Sequence, residues 1–159
     1  MRFAGFMVAM TVMLAAVPAD AAQDRKTPYW ASISASEALM RTGPGRNYPA
    51  IWHYRRPDLP ILVVKVHQNW RKVRDPDGTE GWMDAVLLSA SRTAMVRGGI
   101  ASLRAAPDPG SRLLWRVSPG VVGKIRRCDG GWCELNIKGK SGYVETSALW
   151  GVGRHEVID

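Results

Sequence analysis

Two cysteines, three histidines and an aromatic run mixed with arginines are the side chains whose types and spacing bear on chemistry. Cys128 and Cys133 are separated by Asp129-Gly130-Gly131-Trp132, a turn that sets them opposite each other on paired strands. A redox pair usually sits in Cys-x-x-Cys at a helix start, where one thiol's pKa is lowered, and this spacing and context lack both. An even cysteine count in an oxidising compartment reads as a disulfide, so a structural bridge is preferred over redox or metal use. His53, His67 and His155 are near neither cysteine in sequence, and no two of them have metal-ligand spacing. The serines form no nucleophile elbow. Gly43-Pro44-Gly45 has no lysine following it, as a phosphate loop would, and reads as a tight turn. These residues lead us to expect no catalytic group, no metal and no cofactor.

The aromatics carry the remaining chemistry. Seven tryptophans are many for 159 residues. Tyr48, Trp52 and Tyr54 cluster ahead of a long apolar strand, beside Arg46, Arg55 and Arg56. Aromatic and arginine side chains are enriched at binding surfaces, which makes Tyr48, Trp52, Tyr54, Arg55 and Trp70 the candidate ligand-binding residues. The competing reading is a barrel lid with solvated charges. For Trp70, Trp82, Trp132 and Tyr143, which stand at recurring positions, core packing comes first.

The elements that must hold these residues begin after a leader. Arg2 gives a short positive region, Phe3 to Val17 is an apolar run, and Pro18 leads into Ala19-Asp20-Ala21, the small-residue pattern of a cleavage site. Residues 1–21 therefore read as a signal peptide, with a mature start at Ala22 and no transmembrane anchor in the mature chain. The apolar run is short for a bilayer span. Net charge is +8, with sixteen arginines against six lysines. Such a balance ordinarily points to nucleic acid, but export removes that partner. Wall polymers, lipid head groups and acidic proteins are then the anionic surfaces on offer, with plain solubility as the simpler reading.

An internal repeat organises the rest. Met40-Arg41-Thr42-Gly43-Pro44 aligns with Leu103-Arg104-Ala105-Ala106-Pro107, and Trp52 with Trp115, both 63 residues apart. Trp70 falls on Trp132 at 62, while Gly81-Trp82-Met83-Asp84 falls on Gly142-Tyr143-Val144-Glu145 at 61, as Leu88 falls on Leu149. Each copy reads as strands. Ile61 to Val66 is largely β-branched between Pro60 and Asn69. Trp70 to Arg74 alternates outward charge with inward apolar residues, and Asp75-Pro76-Asp77-Gly78 is turn chemistry. Short strands with frequent turns predict two five- or six-stranded small barrels, over residues 28–90 and 94–152. Copies this small have marginal cores of their own, so they are expected to pack together across Ser89-Ala90-Ser91-Arg92-Thr93.

These residues resemble a known family. An Arg-x-Gly-Pro-like segment, a Trp-x-x-Val strand and a Gly-Trp pair followed by a distal Leu are similar to the bacterial SH3-like domain. The run Asn69 to Arg74, continued by Asp77 to Trp82, looks like a tandem secreted subfamily. Met83-Asp84 replaces the subfamily's more common Val-His, and Ala105-Ala106 replaces the Thr-Gly of the first copy, so the copies are less apt to share one ligand. The resemblance implies an all-β, non-catalytic exported binding module, periplasmic or secreted. Its implied partner is a peptidoglycan stem peptide or an envelope protein. A hydrolase or redox enzyme hidden in a binding fold, and a structural scaffold without a small ligand, are the alternatives.

Overall fold

The computed structural model describes residues 25–159, so the expected leader, residues 1–21, lies outside the described residues. Fourteen strands form two antiparallel sheets of seven. The first holds β1 (Tyr29–Ile33), β2 (Ala38–Arg41), β3 (Ala50–Tyr54), β4 (Pro60–His67), β5 (Trp70–Arg74), β6 (Glu80–Asp84) and β7 (Leu88–Ser89). The second holds β8 (Thr93–Val96), β9 (Ala101–Arg104), β10 (Leu113–Val117), β11 (Val122–Asp129), β12 (Trp132–Ile137), β13 (Lys140–Glu145) and β14 (Leu149–Trp150). Strand order is β3-β2-β6-β5-β4-β1-β7, and the second sheet repeats it as β10-β9-β13-β12-β11-β8-β14. The count exceeds the expected five or six because a two-residue strand, β7 or β14, pairs with the first strand of each copy.

Each sheet curls around one core. Ile33, Met40, Ile61, Val63, Val73 and Met83 come from five strands and are all fully buried in a single cluster. Ala94, Val96, Leu103, Leu135, Val144 and Leu149 make the equivalent cluster in the second copy. The recurring glycine of Gly-Trp and Gly-Tyr has a steric cause. A methyl at Gly81 would fall on the Met40 side chain and within 2.9 Å of the Arg41 carbonyl oxygen, and one at Gly142 within 2.8 Å of Leu103 Cβ. Here β6 and β13 cross β2 and β9 too closely for any larger residue.

One strand departs from its expected alternation. Along β5 it is Arg71 that shares the inner face with Val73, at 4% exposure. Its guanidinium donates to the carbonyls of Gln68 (2.8 Å) and Trp70 (3.1 Å), bracing the β4–β5 turn. The equivalent position in β12 is Cys133, bonded to Cys128 with a Cα–Cα separation of 4.1 Å. The two cysteines are registered partners across β11 and β12. Gly130 and Gly131, both at positive φ, form the two-residue turn between those strands.

The copies dock on each other across residues 90–92. Trp150 Nε1–H donates to the Pro60 carbonyl (3.1 Å), and its ring meets Trp30 edge-on at 5.0 Å. Arg56 donates to the Gly120 carbonyl (2.6 Å). Met95 and Val122 of the second copy pack against the first core.

Candidate ligand-binding surface

The five candidate residues divide by position. Trp52 lies on β3, an edge strand, and is 55% exposed, with Ile51 and Tyr48 also open to solvent. The Tyr48 ring lies against the Gly43-Pro44-Gly45 turn, where a side chain at Gly43 would overlap it. The turn is tied down by Arg41, whose Nη1 donates to the Tyr48 carbonyl (2.7 Å). Arg104 makes the same bond to the Ser111 carbonyl in the second copy (2.7 Å), so the recurring arginine is a loop anchor. Arg55 is exposed and stands 3.8 Å from Glu37, which also meets His53 at 3.2 Å.

Tyr54 is not at the surface. It is 7% exposed, with its hydroxyl donating to Asp75 Oδ2 at 2.8 Å. Burial first, then that bond and the Asp75 charge, push the phenol far above its ordinary pKa, so it remains a neutral donor. Asp75 in turn accepts from the Asp77 and Thr79 amides (3.0 and 2.8 Å), which fixes the β5–β6 turn. The Tyr54 ring lies tilted beside that of Trp52, with centroids 6.3 Å apart.

Trp70 sits elsewhere. Trp52 is registered with buried Met40, on the core side of the sheet, whereas Trp70 is paired with Asp84 on the outer side. There it lines a shallow cleft of about 170 Å³ with Leu39, Arg41, Arg46 and Asp84. Tyr48, Ile51 and Trp52 are each exposed within five residues of chain, with Arg46 and Arg55 flanking them in sequence.

The second copy keeps this surface in altered form. Trp115, 40% exposed, has the Lys140 ammonium 4.4 Å above its ring. The residue at the Lys140 position in the first copy is Thr79, by the register that pairs Asp75 and Ile137 with these turns. Among the described residues, no cation stands over Trp52. Also among them, no three His, Cys, Asp or Glu side chains gather as a metal site requires, and no helix is long and apolar enough to cross a membrane.

The bacterial SH3 domain model matches the sequence twice, over residues 34–90 and 97–151. The chain belongs to the bacterial SH3 domain family. Domains of this family are in general cell-wall binding modules, and the tandem arrangement seen here is two of them in series. No curated protein matches the sequence. Solved structures that are similar include the NlpC2 protein of Trichomonas vaginalis (15% identity, TM-score 0.34, covering 80% of this chain and 49% of that one). The NlpC1 protein of the same organism is another (14%, 0.35, 80% and 47%). A third is an NlpC/P60 family protein from Bacillus cereus ATCC 10987 (15%, 0.34, 76% and 55%). The tandem SH3 chain thus spans about half the length of each of these proteins.

Proposed function

We propose that this tandem SH3 protein is an exported, non-catalytic binding module that holds peptidoglycan stem peptide through its first copy. The observation that carries the reading is the open indole of Trp52 on an edge strand, with Tyr48 and Ile51 exposed nearby in sequence, while the equivalent Trp115 is capped by Lys140. An aromatic face offers large contact area at little cost in rotamer entropy, and arginine grips carboxylates with a forked geometry. Stem peptides are short and carry free carboxylates, which suits an exposed aromatic face with the exposed Arg55 three residues along the chain. The Cys128–Cys133 bridge supports an oxidising location outside the cytoplasm.

Retention on isolated peptidoglycan sacculi tests this. Trp52→Ala is expected to weaken it about tenfold, the equivalent of about 1.4 kcal/mol. Trp115→Ala and Arg116→Ala are expected to change it little. Equal retention by all three variants, with circular dichroism unchanged, would place the site elsewhere. An acidic envelope protein would use the same residues, but with stronger salt sensitivity and a larger footprint.

A further inference from the structure

Strict alternation along β11 would turn one of two neighbouring residues inward, yet Arg126 and Arg127 are both exposed. Arg126 is the extra residue of a bulge. Ile125 opposes Leu135 and Arg127 opposes Glu134, with no residue of β12 opposite Arg126. Such a bulge bends its strand and re-aims a side chain. The backbone is fixed on either side of it. The Ile125 amide donates to the Arg92 carbonyl (2.9 Å), and Ile158 exchanges both backbone hydrogen bonds with Cys128 (2.8 and 3.0 Å). Arg126 and Lys124 thereby line one open hollow of about 360 Å³, together with Ile125 and Asn136.

The first copy has the same bulge with different chemistry. There Val63 opposes Val73 and Lys65 opposes Lys72, so the extra residue is Val64, and Leu62 stands at the Lys124 position. The cations of the neighbouring strand, Lys72 and Arg74, both close on Glu80, at 2.9 and 2.6 Å. By register the pair Arg74–Glu80 corresponds to Asn136–Ser141. The acid that neutralises the first face is therefore a serine in the second. Glu134 stands 3.8 Å from Arg127, whose guanidinium also donates to the Tyr143 hydroxyl (2.8 Å). Among the described residues, Lys124 and Arg126 make no ion pair.

We propose that this hollow binds the phosphate group of a phosphate ester. Guanidinium and ammonium groups are donors with no acceptor. The Asn136 carbonyl oxygen accepts from the Gly139 amide (3.2 Å), and one of its amide hydrogens goes to Ser141 Oγ (2.8 Å), which leaves the second N–H. Every uncommitted side-chain polar group in the hollow is therefore a donor, and such a set receives an anion that only accepts. Arg126 grips two oxygens at once, and Lys124 adds a point charge. The tetrahedral oxygens of a phosphate meet three donor groups, whereas a carboxylate offers two oxygens in one plane. Ile125 is half-buried and packs against the second core, so the hollow takes a polar group and does not insert into an apolar one.

The probe is inorganic phosphate, titrated into the intact protein at constant ionic strength, with amide shifts read by NMR. Saturable shifts centred on Lys124, Arg126 and Asn136 are expected, with acetate about tenfold weaker. Arg126→Ala should weaken phosphate about tenfold, and Arg126→Lys, which keeps the charge and loses the fork, should restore only part of that. Arg112→Ala should change nothing, since that exposed cation adjoins β10, four strands from β11 in the sheet order. Trp52→Ala should also leave phosphate binding intact, which separates this site from the first-copy surface. Vesicles of phosphatidylglycerol in phosphatidylcholine, against phosphatidylcholine alone, then assign the source. Co-sedimentation that depends on Arg126 makes it a lipid head group, and phosphate binding without co-sedimentation makes it a soluble ester. The proposal is overturned by shifts that do not saturate, by acetate binding as tightly as phosphate, or by equal losses in Arg112→Ala and Arg126→Ala.

Discussion

Tyr54 and Trp52 are two residues apart on one strand, yet one is a buried donor and the other an open indole. The Tyr54 hydroxyl donates to a carboxylate, and bonds to charged groups are worth more than neutral ones. Tyr54→Phe is therefore expected to cost about 2 kcal/mol in urea unfolding, while sacculus retention stays as in the parent. A retention loss without a stability loss would return Tyr54 to the surface patch. Sequence proximity grouped Tyr54 with Trp52 because its partner Asp75 is 21 residues away, and nothing local announces that pairing. The inward position of Arg71 is legible from strand parity. Strict period-two reading from buried Val73 puts residue 71 on the same inner face, and the arginine's charge obscured the parity. Glu156 offers a titration at this scale. Burial raises its pKa, but the Arg92 hydrogen bond, the Gly153 amide and the Arg92 charge outweigh that and leave it below the ordinary value. A depressed carboxylate stabilises above its unfolded pKa and loses that contribution as pH falls through the folded one. Hydrogen-exchange protection of residues 151–158 should thus decline below the ordinary glutamate range, about pH 4.3. In Glu156→Gln that pH dependence should vanish.

Among the elements, the two β-hairpins equivalent by repeat solve one problem differently. The turn between β4 and β5 is braced by Arg71 bonding to carbonyls, whereas β11 and β12 are joined covalently. Closing so small a ring contributes about 2 kcal/mol by loop entropy. Cys128→Ser with Cys133→Ser is expected to lower stability by about that amount in denaturant titration. Thiol titration of the parent in denaturant without reductant should find no free thiol, and two would contradict the bridge. The strands themselves were readable because tryptophans and glycines recur at offsets of 63 to 61. The extra strands were not, because β7 and β14 have only two residues each and no periodicity exists over such a length. The face on which each tryptophan lies was equally hidden, since it depends on pairing register. Trp52 and Trp70 look alike in sequence and occupy opposite sides of one sheet.

At the scale of the molecule, two small cores share a boundary made by Trp30, Trp150, Pro60, Met95 and Val122. Cores of this size are marginal alone, so one unfolding transition is expected by calorimetry, with agreement between calorimetric and van't Hoff enthalpies. Trp150→Ala, which removes both the ring contact and the bond to Pro60, should split it into two. The two-residue strands that finish each sheet also govern when a copy becomes complete. Strand β1 meets β7 across 57 residues at Ser32 and Ser89, and the second copy waits for Ile158 to reach Cys128. A chain that emerges N-terminus first therefore spends most of its synthesis as an unfinished sheet, with bare strand edges that invite foreign pairing. The timing of assembly is thus written at the last position of each copy.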